Sequence, residues 1–405
     1  MLPHRHSSWL ILAVILLAGT VGPSNMYKVP PLMPVLMNVM SLSKGKAGLL
    51  MSILCAAGVC LSLPAGFLFQ RLGYRATGIL AMAFLCVGAG LGSVSASAAP
   101  MLGTRLIEGV GATLMSVTGP ALISLRFSGR RRATALGIWT TYVPVGAAIT
   151  FNVAPFLESL WGWQSVWWAG SLYALSAGIL YFLVIKPRPE ESLDRALEAD
   201  SGCRTESVRL GMVVCNRDLW LLSLSYFFAC VVFFSFVTWA PTYFFAVRHK
   251  SLASASQLAG LLLMVGIVGG PASGWILSRI KSTKSVLVLS LSLVALAGPL
   301  TVSVGTAYLP LFVIVYGVIL ASAPTSVFFV LGEVIRDKRL SGMGMGVLNT
   351  LMYAGLIMGP ILFGYTLDIW GTWEIAFLLL LPWGAAAVVS ASLIRVSGSP
   401  AYLCR

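Results

Sequence analysis

The sequence predicts an all-α membrane protein in which twelve transmembrane helices form two pseudo-symmetric six-helix bundles. Three observations carry that prediction. They are a composition that no soluble fold can use, twelve apolar windows of bilayer length, and an internal repeat that relates the second half of the chain to the first.

Of the 405 residues, 58% are hydrophobic and 10% are charged, against about a quarter charged in a typical soluble domain. A soluble protein cannot clothe its surface from that mixture. A bilayer removes the requirement, because lipid tails solvate apolar side chains and only backbone hydrogen bonds must be closed internally, which helices do. The net charge of +14 does not indicate nucleic acid, because the basic residues sit in short clusters between apolar runs and form no continuous basic face. Seven cysteines fall mostly inside apolar runs or in the central polar stretch and form no CxxC pair, so neither a disulfide framework nor a metal site is readable.

A hydrocarbon core of about 30 Å takes about 20 residues of helix. The first window, 9–36, follows only His4, Arg5 and His6; it is too long and lacks the small-residue cleavage site of a signal peptide, and so reads as a retained span. Windows at 47–69, 76–95, 100–125, 134–157 and 163–185 complete six. A polar stretch at 186–218, with 7 of the 13 acidic residues, reads as a solvated linker. Six more windows follow at 219–246, 257–278, 285–304, 308–332, 342–367 and 374–394. The expected domains are therefore an N-terminal bundle at 1–185, a linker at 186–218 and a C-terminal bundle at 219–405.

Basic residues in short loops stay on the cytoplasmic side. With the N-terminus inside, 21 of the 27 lysines and arginines lie in inner loops and tails and only four (Lys44, Lys46, Arg248, Lys250) lie outside. Lys28 and Arg105 fall within spans. The expected location is the plasma membrane with both termini cytoplasmic.

The repeat appears at nearly constant offset. Trp9 and Pro30 match Trp220 and Pro241, 211 residues on; Gly66 and Arg71 match Gly274 and Arg279 at 208. Gly137, Thr141, Gly146, Trp161 and Gly162 match Gly346, Thr350, Gly355, Trp370 and Gly371 at 209. Six spans per unit give both copies the same orientation, related by an axis along the membrane normal. The cleft between such halves suits a small solute, exposed to each side in turn as the halves rock.

Intramembrane charges cost about 3 kcal/mol or more on insertion scales, so each is a functional candidate. Lys28 lies in PSNMYKVPP, where Pro23, Pro30 and Pro31 loosen the helix. Facing a cavity, its ammonium would attract an anion; alternatively it snorkels to the outer interface. Ser24 shares its helical face, and Asn25 and Tyr27 add donors. Arg105 and Glu108, three residues apart, meet on one face of the fourth span as an ion pair. Desolvation disfavours the charged form of a carboxylate, so Glu108 is also the candidate to carry a coupling proton. Gly109 lets a neighbouring helix approach. Tyr226, Trp239, Tyr243, Asn349 and Tyr353 are polar or aromatic side chains within the seventh and eleventh spans, each readable on its own as packing. Trp239 and Tyr243 read equally as members of an interfacial aromatic belt. GMGMG at 342–346 has no preceding strand and no GK[ST], which argues against nucleotide hydrolysis. No cofactor is expected.

The loop GFLFQRLGYR, Gly66 to Arg75, resembles the signature loop of the major facilitator superfamily, and RLIEGVGA at 105–112 resembles its second motif. TWAPTYF at 238–244 and MGPILFGYTLDIWGTW at 358–373 resemble the cyanate-transporter branch. The resemblance implies a secondary carrier that acts as a monomer, with Gly66, Arg71, Gly73, Arg75, Gly109, Gly274 and Arg279 in gating roles and Trp239, Asn349 and Tyr353 at the cavity. The acidic residue of the loop motif is Gln70 here, and Ser278 in the second half, so the family's cytoplasmic charge latch is in question; Arg71 and Arg279 could instead cap helix ends or bind lipid phosphates. The antiporter motif's Gly-Pro is replaced by Thr150 and Phe151. The leading expectation is transport of a small anion, coupled to protons or by exchange. A proton-driven exporter of hydrophobic or cationic compounds is the alternative. A sensor or membrane-embedded enzyme stands further off, because no histidine lies within a span.

Overall fold

The computed structural model describes residues 5–186, 216–277, 279, 282–335 and 341–395. Most of the expected linker, at 187–215, lies outside the described residues, as do Ser278, Lys281, Arg336, Lys338, Arg339, Arg405 and the side chain of Gln70.

Among the described residues every element is helical. The first half of the chain gives α1 (Arg5–Met26), α2 (Val29–Val39), α3 (Lys44–Ser93), α4 (Ala98–Arg126), α5 (Gly129–Trp139), α6 (Tyr142–Trp161) and α7 (Gln164–Val184). The second gives α8 (Arg217–Ala246), α9 (Leu252–Leu277), α10 (Thr283–Ser303), α11 (Leu309–Val334), α12 (Ser341–Trp370), α13 (Trp373–Leu378) and α14 (Leu380–Ser392). Together they make twelve lengths able to cross a membrane, six on each side of the central stretch. This is the expected architecture of two six-helix bundles.

Where helices and spans disagree in number, the backbone gives the reason. The first span, Ser8–Val39, is two helices because Pro30 and Pro31 have no N–H to offer the carbonyls of Met26 and Tyr27 one turn back. The second and third spans are two helices that abut at Gly73, whose φ 75 and ψ 167 are not helical, and α3 names the whole stretch from Lys44 to Ser93. A loop was expected between them, but a single residue in a region closed to L side chains suffices for the turn, and the GFLFQRLGYR segment stays helical on either side of it.

The repeat is visible in backbone detail. Gly162 ends the fifth span at φ 76 and Gly371 ends the eleventh at φ 70. A Cβ on Gly146 would collide with the backbone of the first span at Thr20 and Ser24, and one on Gly355 would collide with the seventh span at Phe227 and Cys230. The same glycine thus lets the same pair of spans touch in each half.

Consecutive crossings place Gly73, the 127–128 and 282 connections, Arg71, Arg75, Arg126, Arg131, Arg132, Lys284 and Arg395 at one end, hereafter the basic end. The connections at 40–43, 162–163, 247–251 and 371–372 lie at the opposite end. Contacts between the two halves gather toward that opposite end. The N-terminus of α3 packs on the C-terminal part of α12, with Gly45 against the Tyr365 ring and Gly48 against the Pro360 carbonyl. Ser256 of α9 donates to the Phe151 carbonyl of α6 at 2.5 Å, and Gly260 packs on the Phe151 side chain. Tyr27 meets Phe234 of α8 with ring centroids 6.1 Å apart.

Trp239 and Tyr243 join no interfacial belt. Both are buried, in a cluster with Phe363, Trp373 and Phe377 between α8, α12 and α13.

Candidate functional site

The break in the first span builds the site. The carbonyls of Asn25 and Met26 face the fourth span, and Arg105 takes both. Its Nη1 donates to the Asn25 carbonyl at 2.6 Å, its Nη2 to the Met26 carbonyl at 3.0 Å, and its Nε to the Leu50 carbonyl of α3 at 3.4 Å. A planar fork with five N–H groups suits that arrangement, and an ammonium does not. Arg105 therefore ties three spans together through their backbones while remaining wholly buried.

Its remaining partner is Glu108. Arg105 Nη1 donates to Glu108 Oε2 at 2.5 Å, so the expected pair on one helical face is formed. The other oxygen reaches a residue 80 positions away: Lys28 Nζ donates to Glu108 Oε1 at 2.6 Å. The same ammonium donates to Asn25 Oδ1 at 2.9 Å and sits 4.6 Å from the centroid of the Trp167 ring on α7. Lys28 is 1% exposed, so it does not snorkel; it turns inward. Gly88 of α3 makes room, since a Cβ there would meet Glu108 within 2.7 Å.

Lys28, Arg105 and Glu108 are the charged side chains that are buried among the described residues. Ionised together, they carry one net positive charge. A buried charge survives only when paired or hydrogen-bonded, and here one carboxylate serves two cations. This arrangement can neutralise a single negative charge brought from outside, or release a cation to it if Glu108 is protonated.

The other candidates occupy distinct places. Ser24 donates to the Gly146 carbonyl and packs the first span on the fifth rather than joining Lys28. Asn25 is central, holding Lys28 through Oδ1 while its Nδ2 donates to the Val21 carbonyl. Tyr27 faces the rings of Phe151 and Phe234, on the seam between the halves. The Tyr353 ring lies against Gly58 of α3, so it too reaches across that seam. Asn349, next to the buried Leu348 on α12, is partly buried. Trp239, which stands 211 residues after Lys28, donates from Nε1 to the Pro360 carbonyl at 3.0 Å within the second half and does not approach the charged cluster. Gly109 packs on the Leu54 carbonyl.

At the basic end, Gly66 lies within α3 and Arg71 is exposed. Arg75 donates to the Phe182 carbonyl at 3.0 Å and covers the Phe182 ring. Arg279 stands 3.7 Å over the Trp275 ring. A Cβ on Gly274 would lie 3.8 Å from the Thr325 methyl, an ordinary contact. Arg75 and Arg279 thus rest on aromatic faces.

Two participants escaped the sequence. Trp167 is one of 12 tryptophans and carries no periodic signal. Asp368 of α12 accepts from the Lys44 and Gly45 backbone N–H groups at 3.0 and 2.8 Å, and Lys44 Nζ donates to the Leu367 carbonyl at 3.2 Å. Asp368 was readable only as an acid near the end of a span.

Comparison with known proteins places these features in a family. A model of the Major Facilitator Superfamily matches residues 9–352. The chain is 22% identical over 409 residues to the hexuronate transporter of Bacillus subtilis (strain 168), covering 96% of each. It is 23% identical over 286 residues to the cyanate transport protein CynX of Escherichia coli (strain K12), covering 70% of each. Among solved structures it resembles a bacterial homologue of the human lysosomal transporter Spinster, in an inward-facing and unoccupied conformation, with TM-score 0.74, 15% identity and coverage of 97% of this chain and 95% of that one.

Proposed function

This chain belongs to the Major Facilitator Superfamily, integral membrane transporters of small solutes rather than enzymes, and from that premise we propose that its solute is a small anion moved by alternating access with proton coupling or exchange. One observation carries the reading: a fully buried cluster of two cations and one carboxylate, held at a break in the first span. The hexuronate, cyanate and nitrite transporters among its relatives handle anions by name, which supports the same class.

In this reading Arg105 is the fixed part, its donors committed to backbone carbonyls, and Lys28 is the part that changes partner. An anion competes with Glu108 for the Lys28 ammonium. Glu108, losing that partner, takes a proton on Oε1 and remains bonded to Arg105 through Oε2. Solute and proton then occupy the cluster together and leave together, which is symport; exchange follows if a second anion replaces the first before the proton departs. An exporter of cationic compounds would need a carboxylate on offer, whereas both oxygens of Glu108 already rest on cations.

The remaining assignments belong to this reading as well. The basic end faces the cytoplasm, with both termini there, in the plasma membrane. Residues 1–185 and 219–405 act as the two rocking units, joined by 186–218, and the transporter works as a monomer. Asn25 and Tyr27 line the anion's approach with Tyr353 and Asn349 opposite. Contacts at Gly45, Gly48 and Ser256 close the outer side, so this conformation faces inward.

The test is uptake of labelled glucuronate, cyanate and nitrite into proteoliposomes, with and without an imposed proton gradient. Wild type is expected to accumulate at least one of them saturably and Lys28→Gln to lose it. Unchanged affinity and charge preference in Lys28→Gln would sink the anion assignment.

A further inference from the structure

We propose that Trp167 is a positioning residue for the anion site, holding the Lys28 ammonium on its indole face while Glu108 is away; the inference rests on the anion reading above. Lys28 has three supports, Asn25 Oδ1, Glu108 Oε1 and the Trp167 ring. Glu108 is the one that protonation or a competing anion removes. The charged neighbour that then remains is Arg105, on the same span as Glu108, and it repels. Asn25, on the same span as Lys28, supplies a single neutral acceptor. Trp167, from the sixth span, supplies the negative face of a π system, which attracts a desolvated cation and which no proton or anion can neutralise.

The setting of the ring supports the assignment. Trp167 is 0% exposed, and its Nε1–H has no hydrogen-bond partner among the described residues. A buried indole N–H ordinarily finds an acceptor, so the ring keeps this place at the expense of a hydrogen bond, and what the place offers is the ammonium. The pose is also enforced. A Cβ on Gly92 of α3 would fall 2.6 Å from Trp167 Nε1, so only glycine leaves room for the indole edge. Trp163 braces the ring edge-on with centroids 5.5 Å apart. Spans three and six therefore fix a surface on which Lys28 can stay charged after Glu108 releases it, ready for a solute anion.

The test replaces Trp167 by Phe and by Leu and, site-specifically, by mono-, di- and trifluorotryptophan, which empty the π face without changing its shape. Each protein is assayed in proteoliposomes with labelled glucuronate, cyanate and nitrite, together with its thermal unfolding midpoint. Loss of a desolvated cation–π contact is expected to raise KM about tenfold in Trp167→Leu. Phe should restore most of the affinity, and KM should climb stepwise with each fluorine at constant Vmax and unfolding midpoint. Fluorination without effect on KM, in a wild type that accumulates an anion, overturns this proposal alone. A wild type that accumulates none of the three overturns the anion reading and the role given to Trp167 with it. If Trp167→Leu fails to fold, the fluorinated series decides by itself.

Discussion

Glu108 accepts from Lys28 at 2.6 Å with one carboxylate oxygen and from Arg105 at 2.5 Å with the other. That sharing fixes an asymmetry between two superficially similar variants. Lys28→Gln leaves a neutral Arg105–Glu108 pair, whereas Glu108→Gln leaves two buried cations facing each other. Stripping a partner from a buried ion pair costs about 3–5 kcal/mol, so Glu108→Gln should lower the thermal unfolding midpoint in detergent clearly more than Lys28→Gln does. The double variant should recover part of the loss. An equal or inverted order would mean that the carboxylate is protonated throughout.

Arg105 makes a different prediction, because its work is done through geometry more than charge. Three backbone carbonyls and a carboxylate surround its guanidinium. Arg105→Lys keeps the charge and loses the fork, leaving at least two of these three carbonyls without donors. At about 1–3 kcal/mol for each unsatisfied buried group, the variant should unfold at markedly lower temperature and show little uptake. Near-normal stability would show that water replaces the lost donors.

Much of this was legible beforehand, and what escaped has a common cause. Apolar windows of bilayer length, Gly162 and Gly371 at the ends of matching spans, and the Arg105–Glu108 spacing are local features, written within one or two helical turns. The prolines at 30 and 31 marked the broken span equally well. The Lys28–Glu108 bridge, the Trp167 face and the Asp368 cap all depend on which spans become neighbours, and an apolar helix in lipid advertises no preferred side. The turn at Gly73 was overestimated in length for a related reason, since a glycine at positive φ bends the chain without any polar stretch to announce it.

Glycine contacts give a paired test of the packing. A Cβ on Gly109 would overlap the Leu54 carbonyl, whereas one on Gly103, six residues earlier in the same helix, meets nothing within 4 Å. Overpacking typically costs about 1–3 kcal/mol, and glycine to alanine in an open helical position gains up to about 1 kcal/mol. Gly109→Ala should therefore destabilise the folded protein while Gly103→Ala leaves it unchanged or slightly more stable, as read by thermal unfolding. Indistinguishable midpoints would refute the close approach of the second and fourth spans.

Asp368 supplies the last prediction. The first backbone N–H groups of any helix lack intrahelical partners and carry the positive end of its dipole. For α3, Ser43 accepts from Lys46, and Asp368 accepts from Lys44 and Gly45 across the seam between the halves, 324 residues away for the first of these. Opening that end must separate the carboxylate from both donors. Hydrogen bonds to a charged group contribute about 1.5–3 kcal/mol net, so Asp368→Ala should shift the equilibrium toward the open form by about tenfold or more. With Cys230, buried on α8 near the seam, kept as the sole cysteine, an impermeant maleimide applied from the side of residues 40–44 should label Asp368→Ala correspondingly faster. Asp368→Asn should fall between, since an amide oxygen still accepts one bond but brings no charge to the helix terminus. Equal labelling rates in all three would show that the other contacts across the seam hold it closed without the carboxylate.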